Sequence, residues 1–207
     1  MGEEEARAAL DVPRETMERL EAFAAFLREE SELQNLVSRS SLGHLWSRHI
    51  YDSAQLLRFA PPNAAAWLDL GTGAGFPGLV TALLHPAHFT LVEGRKLRVD
   101  FLIGAAELLG VSHRITILCS KVEALPQRSY DVISARAFAP LPRLLDLAHR
   151  FSTAKTRWIL PKGRNARSEL DAARASWQGA FRLEQSLTDP EAQIVVAEGV
   201  TGKGKRK

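Results

Sequence analysis

The chain has 207 residues, 45% apolar and 25% charged, with a formal net charge of +3. That length supports one domain with a substantial core, and no uninterrupted apolar run approaches a membrane span. A single cysteine, Cys119, excludes an internal disulfide and no Cys/His spacing suits zinc, so the expectation is a reducing cytoplasm and no metal.

The chain opens Met1-Gly2-Glu3-Glu4-Glu5, acidic where a signal peptide would be basic. Residues 13–30 read as an amphipathic helix, with Met17, Leu20, Phe23 and Leu27 at helical spacing. Asn35-Leu36-Val37-Ser38 breaks that pattern. A second helix is expected over 42–59, with Leu45, Trp46, His49, Ile50, Ser53, Leu56 and Leu57 on one side, stopped by Pro61-Pro62. Two helices bury too little alone, so 1–63 is expected to cap the domain that follows. Trp46 and Trp67 are expected in the core.

From Ala65 strand and helix patterns alternate. Strands are expected at 66–70, 88–92, 115–119, 130–134, 155–160, 181–187 and 192–198, and helices at 77–84, 95–109, 140–151 and 164–177. This rhythm implies an α/β domain over 64–198: a mostly parallel, seven-stranded sheet with helices on both faces. The last two strands, joined at Thr188-Asp189-Pro190, suggest a closing antiparallel hairpin. The stretch 199–207 is Gly/Lys-rich and is expected to be a disordered basic tail. Lys and Arg recur from Arg95 onward, Arg164 and Arg167 among them. That suits a polyanionic partner, or simply a solvated face.

The informative stretch is Trp67-Leu68-Asp69-Leu70-Gly71-Thr72-Gly73-Ala74-Gly75-Phe76-Pro77-Gly78. An apolar strand runs into a glycine turn, where missing Cβ atoms let backbone approach a ligand, and then into a helix start marked by Pro77. Two patterns fit it. Asp69, Gly71, Gly73 and Gly75 form the Asp-x-Gly-x-Gly-x-Gly of class I S-adenosylmethionine (SAM) methyltransferases. Gly73, Gly75 and Gly78 also satisfy the dinucleotide Gly-x-Gly-x-x-Gly. Glu93 ends the next strand, where an acid can accept hydrogen bonds from ribose hydroxyls in either class.

The remaining residues favour SAM. Tyr51 and Tyr130 are the only tyrosines, and neither is followed by lysine four residues on, as a short-chain dehydrogenase requires. A longer dehydrogenase needs a second domain for which there is no room. Asp69 suits a cationic sulfonium better than a pyrophosphate. Val122-Glu123 follows the third strand, where methyltransferases contact adenine. A degenerate Rossmann module without chemistry is the third option.

As for the target, Asn-Pro-Pro-Tyr is absent, which argues against methylation of an exocyclic amine. Cys119, in or after a strand, is not set for covalent attack on a pyrimidine. A nucleophile that needs no deprotonation remains, such as guanine N7, whose lone pair needs only alignment with the methyl group.

The chain resembles the bacterial 16S rRNA (guanine-N7) methyltransferase G family, the glucose-inhibited division protein B family. The matching residues are Asn35 to Ser38; Trp46-Ser47-Arg48-His49-Ile50-Tyr51-Asp52-Ser53; Asp69 to Gly78; Asp131-Val132-Ile133-Ser134-Ala135-Arg136-Ala137; and Pro161-Lys162-Gly163. The resemblance implies a Rossmann-like, monomeric, cytoplasmic enzyme that moves a methyl group from SAM to N7 of the guanine at position 527 of 16S rRNA, in the 530 loop. It does so by direct attack of N7 on the methyl carbon, with naked rRNA or the 30S subunit as partner. Cofactor contacts implied by position are Gly71, Phe76, Val122, Glu123 and Arg136, with Glu93, Gly94 and Arg95 at the ribose; Asp69, Gly73 and Gly75 complete the loop. No catalytic acid or base is implied, because N7 carries no proton, and Arg48, His49, Arg136 and Lys162 are positioning candidates. Arg48 and Asp52, four apart on a helix, could instead be a simple ion pair. The alternatives are a small-molecule or other RNA methyltransferase, or a SAM-retaining RNA-binding assembly protein. Two departures from the family stand out: Glu29 to Gln34 replaces a common Trp-Asn, and Pro161 replaces a hydrophobic residue before Lys162.

Overall fold

The computed structural model describes residues 1–204. Helices α1 (Glu3–Ala8), α2 (Arg14–Leu33) and α3 (Arg39–Leu42) open the chain. The helical stretch that follows is not uniform. It is π-helical over Trp46–Tyr51, α-helical over Asp52–Ala54 (α4) and 3-10 over Gln55–Phe59. The strands are β1 (Ala66–Leu70), β2 (His88–Glu93), β3 (Ile115–Cys119), β4 (Val132–Ala135), β5 (Arg157–Lys162), β6 (Trp177–Gln185) and β7 (Gln193–Gly202). Between them lie α5 (Gly78–Leu84), α6 (Lys96–Leu108), α7 (Leu141–Ala148) and α8 (Ala166–Ala173).

The sheet order is β3-β2-β1-β4-β5-β7-β6. β1 to β5 run parallel, and β7 pairs antiparallel with both β5 and β6. The order reverses between β1 and β4, so their carboxyl ends part and leave a crevice, the usual ligand position in such sheets. Strand alternation sorts the core into two layers. Trp67, Phe89, Leu91 and Val132 pack with Leu20, Phe23, Leu27 and Ile50 of the N-terminal helices. Leu68, Leu70, Ile133 and Trp158 face the other way, onto α7 and α8. Trp46 and Trp67 are buried, and Trp67 stacks on Phe89 with centroids 5.1 Å apart.

Three expectations are corrected. α8 stops at Ala173, and Trp177 instead starts β6, because its indole is buried beside His149 in the core layer with α7 and α8. The expected disordered tail is strand as far as Gly202: Val200 is buried and Thr201 and Gly202 pair with Gln178 and Trp177. Lys205 to Lys207 of that tail lie outside the described residues. The second helix, read as one α-helix, carries the π segment instead, and α1 was not foreseen. The two are linked, since the Glu3 carboxylate accepts the backbone N–H groups of Trp46 (3.1 Å) and Ser47 (2.9 Å) and the Ser47 hydroxyl (2.6 Å). An acidic N-terminus thus supplies acceptors to a helix start whose donors would otherwise be orphaned. Among the described residues no helix is long and apolar enough to cross a membrane.

Candidate active site

The glycine turn has the backbone its sequence requires. Gly71, Gly73 and Gly75 all sit at positive φ (65°, 59° and 88°), where a side chain is strained. The turn is tied down by Asp69, which is fully buried. Its carboxylate accepts the Gly78 N–H (3.1 Å) and the Ser134 hydroxyl (2.6 Å), while Ser134 accepts the Trp67 indole N–H (2.8 Å). Burial raises the Asp69 pKa to about 6, against the lowering pull of these donors. With no solvent-facing surface, Asp69 anchors the turn from inside, the loop-holding role open to it in the sequence.

Glu93 ends β2 beside the turn. One carboxylate oxygen accepts the Gly73 N–H (3.1 Å) and the other the Arg95 N–H (2.9 Å). An ionised carboxylate has roughly four lone-pair sites, so room remains for two hydroxyls. Gly94 and Arg95 are exposed next to it. Arg98 approaches Glu93 at 3.8 Å and donates to the Asn35 carbonyl (3.0 Å), which draws the Asn35–Ser38 segment to the edge of the turn. After β3, Val122 is buried and Glu123 exposed on a short 3-10 turn, with Glu123 3.5 Å from Arg143. Arg98 was missed in the sequence, although its position one turn into the helix after Glu93 was a usable signal.

A second group converges on Arg136, just past β4. Its guanidinium donates to the Arg48 carbonyl (3.0 Å), to Asp52 (3.2 Å) and to His49 Nδ1 (2.8 Å), and lies 5.3 Å from the centroid of Phe76. His49 stacks on the same ring at 4.9 Å. Phe76 itself is buried against Phe23, so the exit of the glycine turn is clamped between the N-terminal helices and Arg136. Arg48 does not pair with Asp52: Arg136 takes that carboxylate and leaves the Arg48 side chain exposed. Asp52 is braced in turn by Thr188 (2.6 Å) and Gln55 (2.8 Å), which also hold the β6–β7 turn.

Burial, then the charges of Arg136 and Arg48, push the His49 pKa down to about 3. Because Arg136 donates to Nδ1, the neutral ring carries its proton on Nε2, and that buried nitrogen has no partner within the chain. The folded pKa lies below the unfolded value of about 6.5, so the unfolded chain binds more protons at mild acidity and His49 lowers stability as pH falls from about 6.5 towards 3. Asp69, raised to about 6, acts in the opposite sense between about 4 and 6. His49→Gln should therefore lose less stability than the parent between pH 7 and pH 5, by up to about 1.4 kcal/mol per pH unit. Urea melts at the two pH values check this; equal losses in both proteins would show that His49 is not held neutral.

Beside Arg136 opens a cavity of about 760 Å³, whose lining includes Arg48, Asp52, Phe138, Lys162 and Gln193. Lys162 is engaged within the chain. Its ammonium donates to the Ala139 carbonyl (2.7 Å) and to Glu169 (2.9 Å), and Glu169 accepts the Leu141 N–H (2.8 Å). These contacts make Lys162 a clamp on the loop after β4 at the cavity wall. The structure brings Gly71, Gly73, Gly75, Glu93, Gly94 and Arg95 together at one side of the crevice, and Arg48, His49 and Arg136 at the other. Arg164, 3.5 Å from Glu191, and Arg167 are exposed.

This sheet order, with its reversed seventh strand and its ligand crevice beyond β1 and β4, is the fold of class I SAM-dependent methyltransferases. Solved structures agree. An O-methyltransferase from Bacillus cereus in complex with SAH superposes with a TM-score of 0.63 at 14% identity, over 95% of this chain and 96% of that one. A ribosomal protein L11 methylase from Lactobacillus delbrueckii subsp. bulgaricus gives 0.59 at 16% identity, over 74% and 78%. The family model described as rRNA small subunit methyltransferase G matches residues 16–193, and the chain belongs to that family. Proteins named ribosomal RNA small subunit methyltransferase G are 52% identical in Rhizorhabdus wittichii, over 99% of this chain and 96% of the relative, and 47% identical in Zymomonas mobilis, over 100% and 98%.

Proposed function

We propose that the chain transfers a methyl group from SAM to N7 of a guanine in 16S rRNA, in the 530 loop, acting as a cytoplasmic monomer on naked rRNA or the 30S subunit. The observation that carries the reading is Glu93, held at the end of β2 beside a positive-φ glycine turn, with acceptor capacity left for two ribose hydroxyls.

SAM supplies, when bound, a methyl group on a positively charged sulfur that a neutral nitrogen can accept without first losing a proton. The chain's part is to bind and to orient. Glu93 takes the ribose, Gly94 and Arg95 flank it, and Val122 and Glu123 border the adenine. The bare backbone at Gly73, where an added Cβ would have no neighbour closer than 3.8 Å, lets the ligand lie close. Family resemblance assigns Arg136 and Phe76 to the cofactor as well, and their contact with one another fits a shared wall. Arg48, exposed at the cavity, suits an RNA phosphate. A neutral His49 adds no further cation beside the sulfonium.

The test is methyl transfer from labelled SAM to naked 16S rRNA, 30S subunits and free guanosine, with transfer expected to an RNA form. Labelling of none of the RNAs would overturn the reading. Glu93→Ala should weaken SAM binding on the order of 10- to 100-fold, since two charge-assisted hydrogen bonds are lost. Unchanged affinity by calorimetry would remove the ribose role.

A further inference from the structure

The loop after β4 holds a residue that the functional reading has not used. An ideal Cβ built on Gly71 would lie 2.5 Å from Phe138 Cδ2 and 3.4 Å from its Cγ and Cε2. The ring therefore rests directly on the Gly71 backbone. Phe138 also lines the cavity on its other side, and among the described residues it is the only Phe, Tyr or Trp that does so. One half-buried ring thus stands between the donor loop and the space left for a base.

Its surroundings fix the chain on either side of it. On one side Arg136 is fixed by Asp52, His49 and the Arg48 carbonyl. On the other, Lys162 holds the Ala139 carbonyl and Glu169 holds the Leu141 N–H. Only Ala137 and Phe138 lie between these pins. Ala137 is exposed and sits at φ 52°, a conformation that costs a non-glycine residue of order 1 kcal/mol or more and that structures keep mainly where it serves function. Phe138 is thus the one large side chain on the two-residue span between the anchors.

On the reading above, the donor lies against the glycine turn, where Phe138 covers Gly71. A guanine taken out of its stack also loses its neighbours' faces and needs a replacement. Every base has a π face, and stacking on an aromatic side chain is a general way of holding one. We propose that Phe138 is the base-stacking residue of this cavity, which rests on Gly71 in the free chain and leaves it to stack on the target guanine. The proposal rests on the rRNA reading above and names the positioning residue within it.

Phe138→Ala, Phe138→Tyr and Phe138→Trp test it in the full chain. Phe138→Ala should reduce kcat/KM for the RNA on the order of 10- to 100-fold. SAM affinity by calorimetry should stay the same or rise, because the cover over Gly71 is gone. Phe138→Tyr and Phe138→Trp should restore kcat/KM to within about threefold, which a purely space-filling role would not predict for tryptophan. RNA kinetics within twofold of the parent in Phe138→Ala would overturn the proposal. So would a matching loss of SAM affinity, which would make Phe138 part of the donor site. If the unaltered chain methylates no RNA, the functional reading fails; if it does and Phe138→Ala matches it, only this inference fails.

Discussion

Arg136→Ala is expected to lower methyl transfer on the order of 100-fold or more, the largest loss from any single change at this site. The guanidinium ties together three pieces of chain: the π-helical segment through the Arg48 carbonyl and His49, α4 through Asp52, and the glycine-turn exit through the face of Phe76. Truncation leaves a mostly buried Asp52 without its cation and His49 Nδ1 without its donor, and a half-removed charged network is costly. It also frees the loop that carries Phe138, and misplacing reacting groups by about 1 Å can by itself cost on the order of 100-fold. Arg136→Lys should recover little, because an ammonium cannot reach all three acceptors as a planar fork does. Single-turnover transfer to the preferred RNA form, with SAM affinity measured in parallel, reads the effect. Activity within threefold of the parent would mean that the network is incidental.

The second large effect is on stability. Gly78→Ala should cost about 3 to 5 kcal/mol. A Cβ at that position would sit 2.5 Å from Leu91 Cδ2, 2.7 Å from Asp69 Oδ2 and 2.9 Å from Thr72 Oγ1. Leu91 can turn aside at modest cost. Asp69 cannot, because its other oxygen is committed to Ser134, and a shift would part it from the Gly78 N–H while it remains buried. Urea denaturation checks this directly. A loss below 1 kcal/mol would show that Asp69 does not anchor the turn. The same geometry explains Gly78 without a dinucleotide: it is small because a buried carboxylate lies against it.

The glycine turn shows what can be read from local chemistry. Positive φ at Gly71, Gly73 and Gly75 is a property of the backbone at those residues, so residue type announced it. Glu93 was legible because an acid at the end of a buried strand has little reason to be there except to face a crevice. Lys162 was not legible. Its fate depended on Glu169 and the Ala139 carbonyl, neither near in sequence, and a lysine that binds RNA looks the same in a sequence as one that clamps a loop. The Arg48–Asp52 ion pair, one of two readings open in the sequence, fails for a related reason. Helical spacing offered Arg48 as its partner, but the π turn and the approach of Arg136 across the fold gave the carboxylate a better one.

The sequence by itself determined the α/β alternation, the antiparallel close, the positive-φ glycine turn and the acid at the end of β2 beside it. These follow from periodicity and from backbone freedom, which act over a few residues. Only the tertiary structure decided that Asp69 is interior, that His49 is neutral and that Phe138 lies over Gly71. Burial, desolvation and close contact arise between segments far apart in the chain, and no local pattern records which distant side chain arrives.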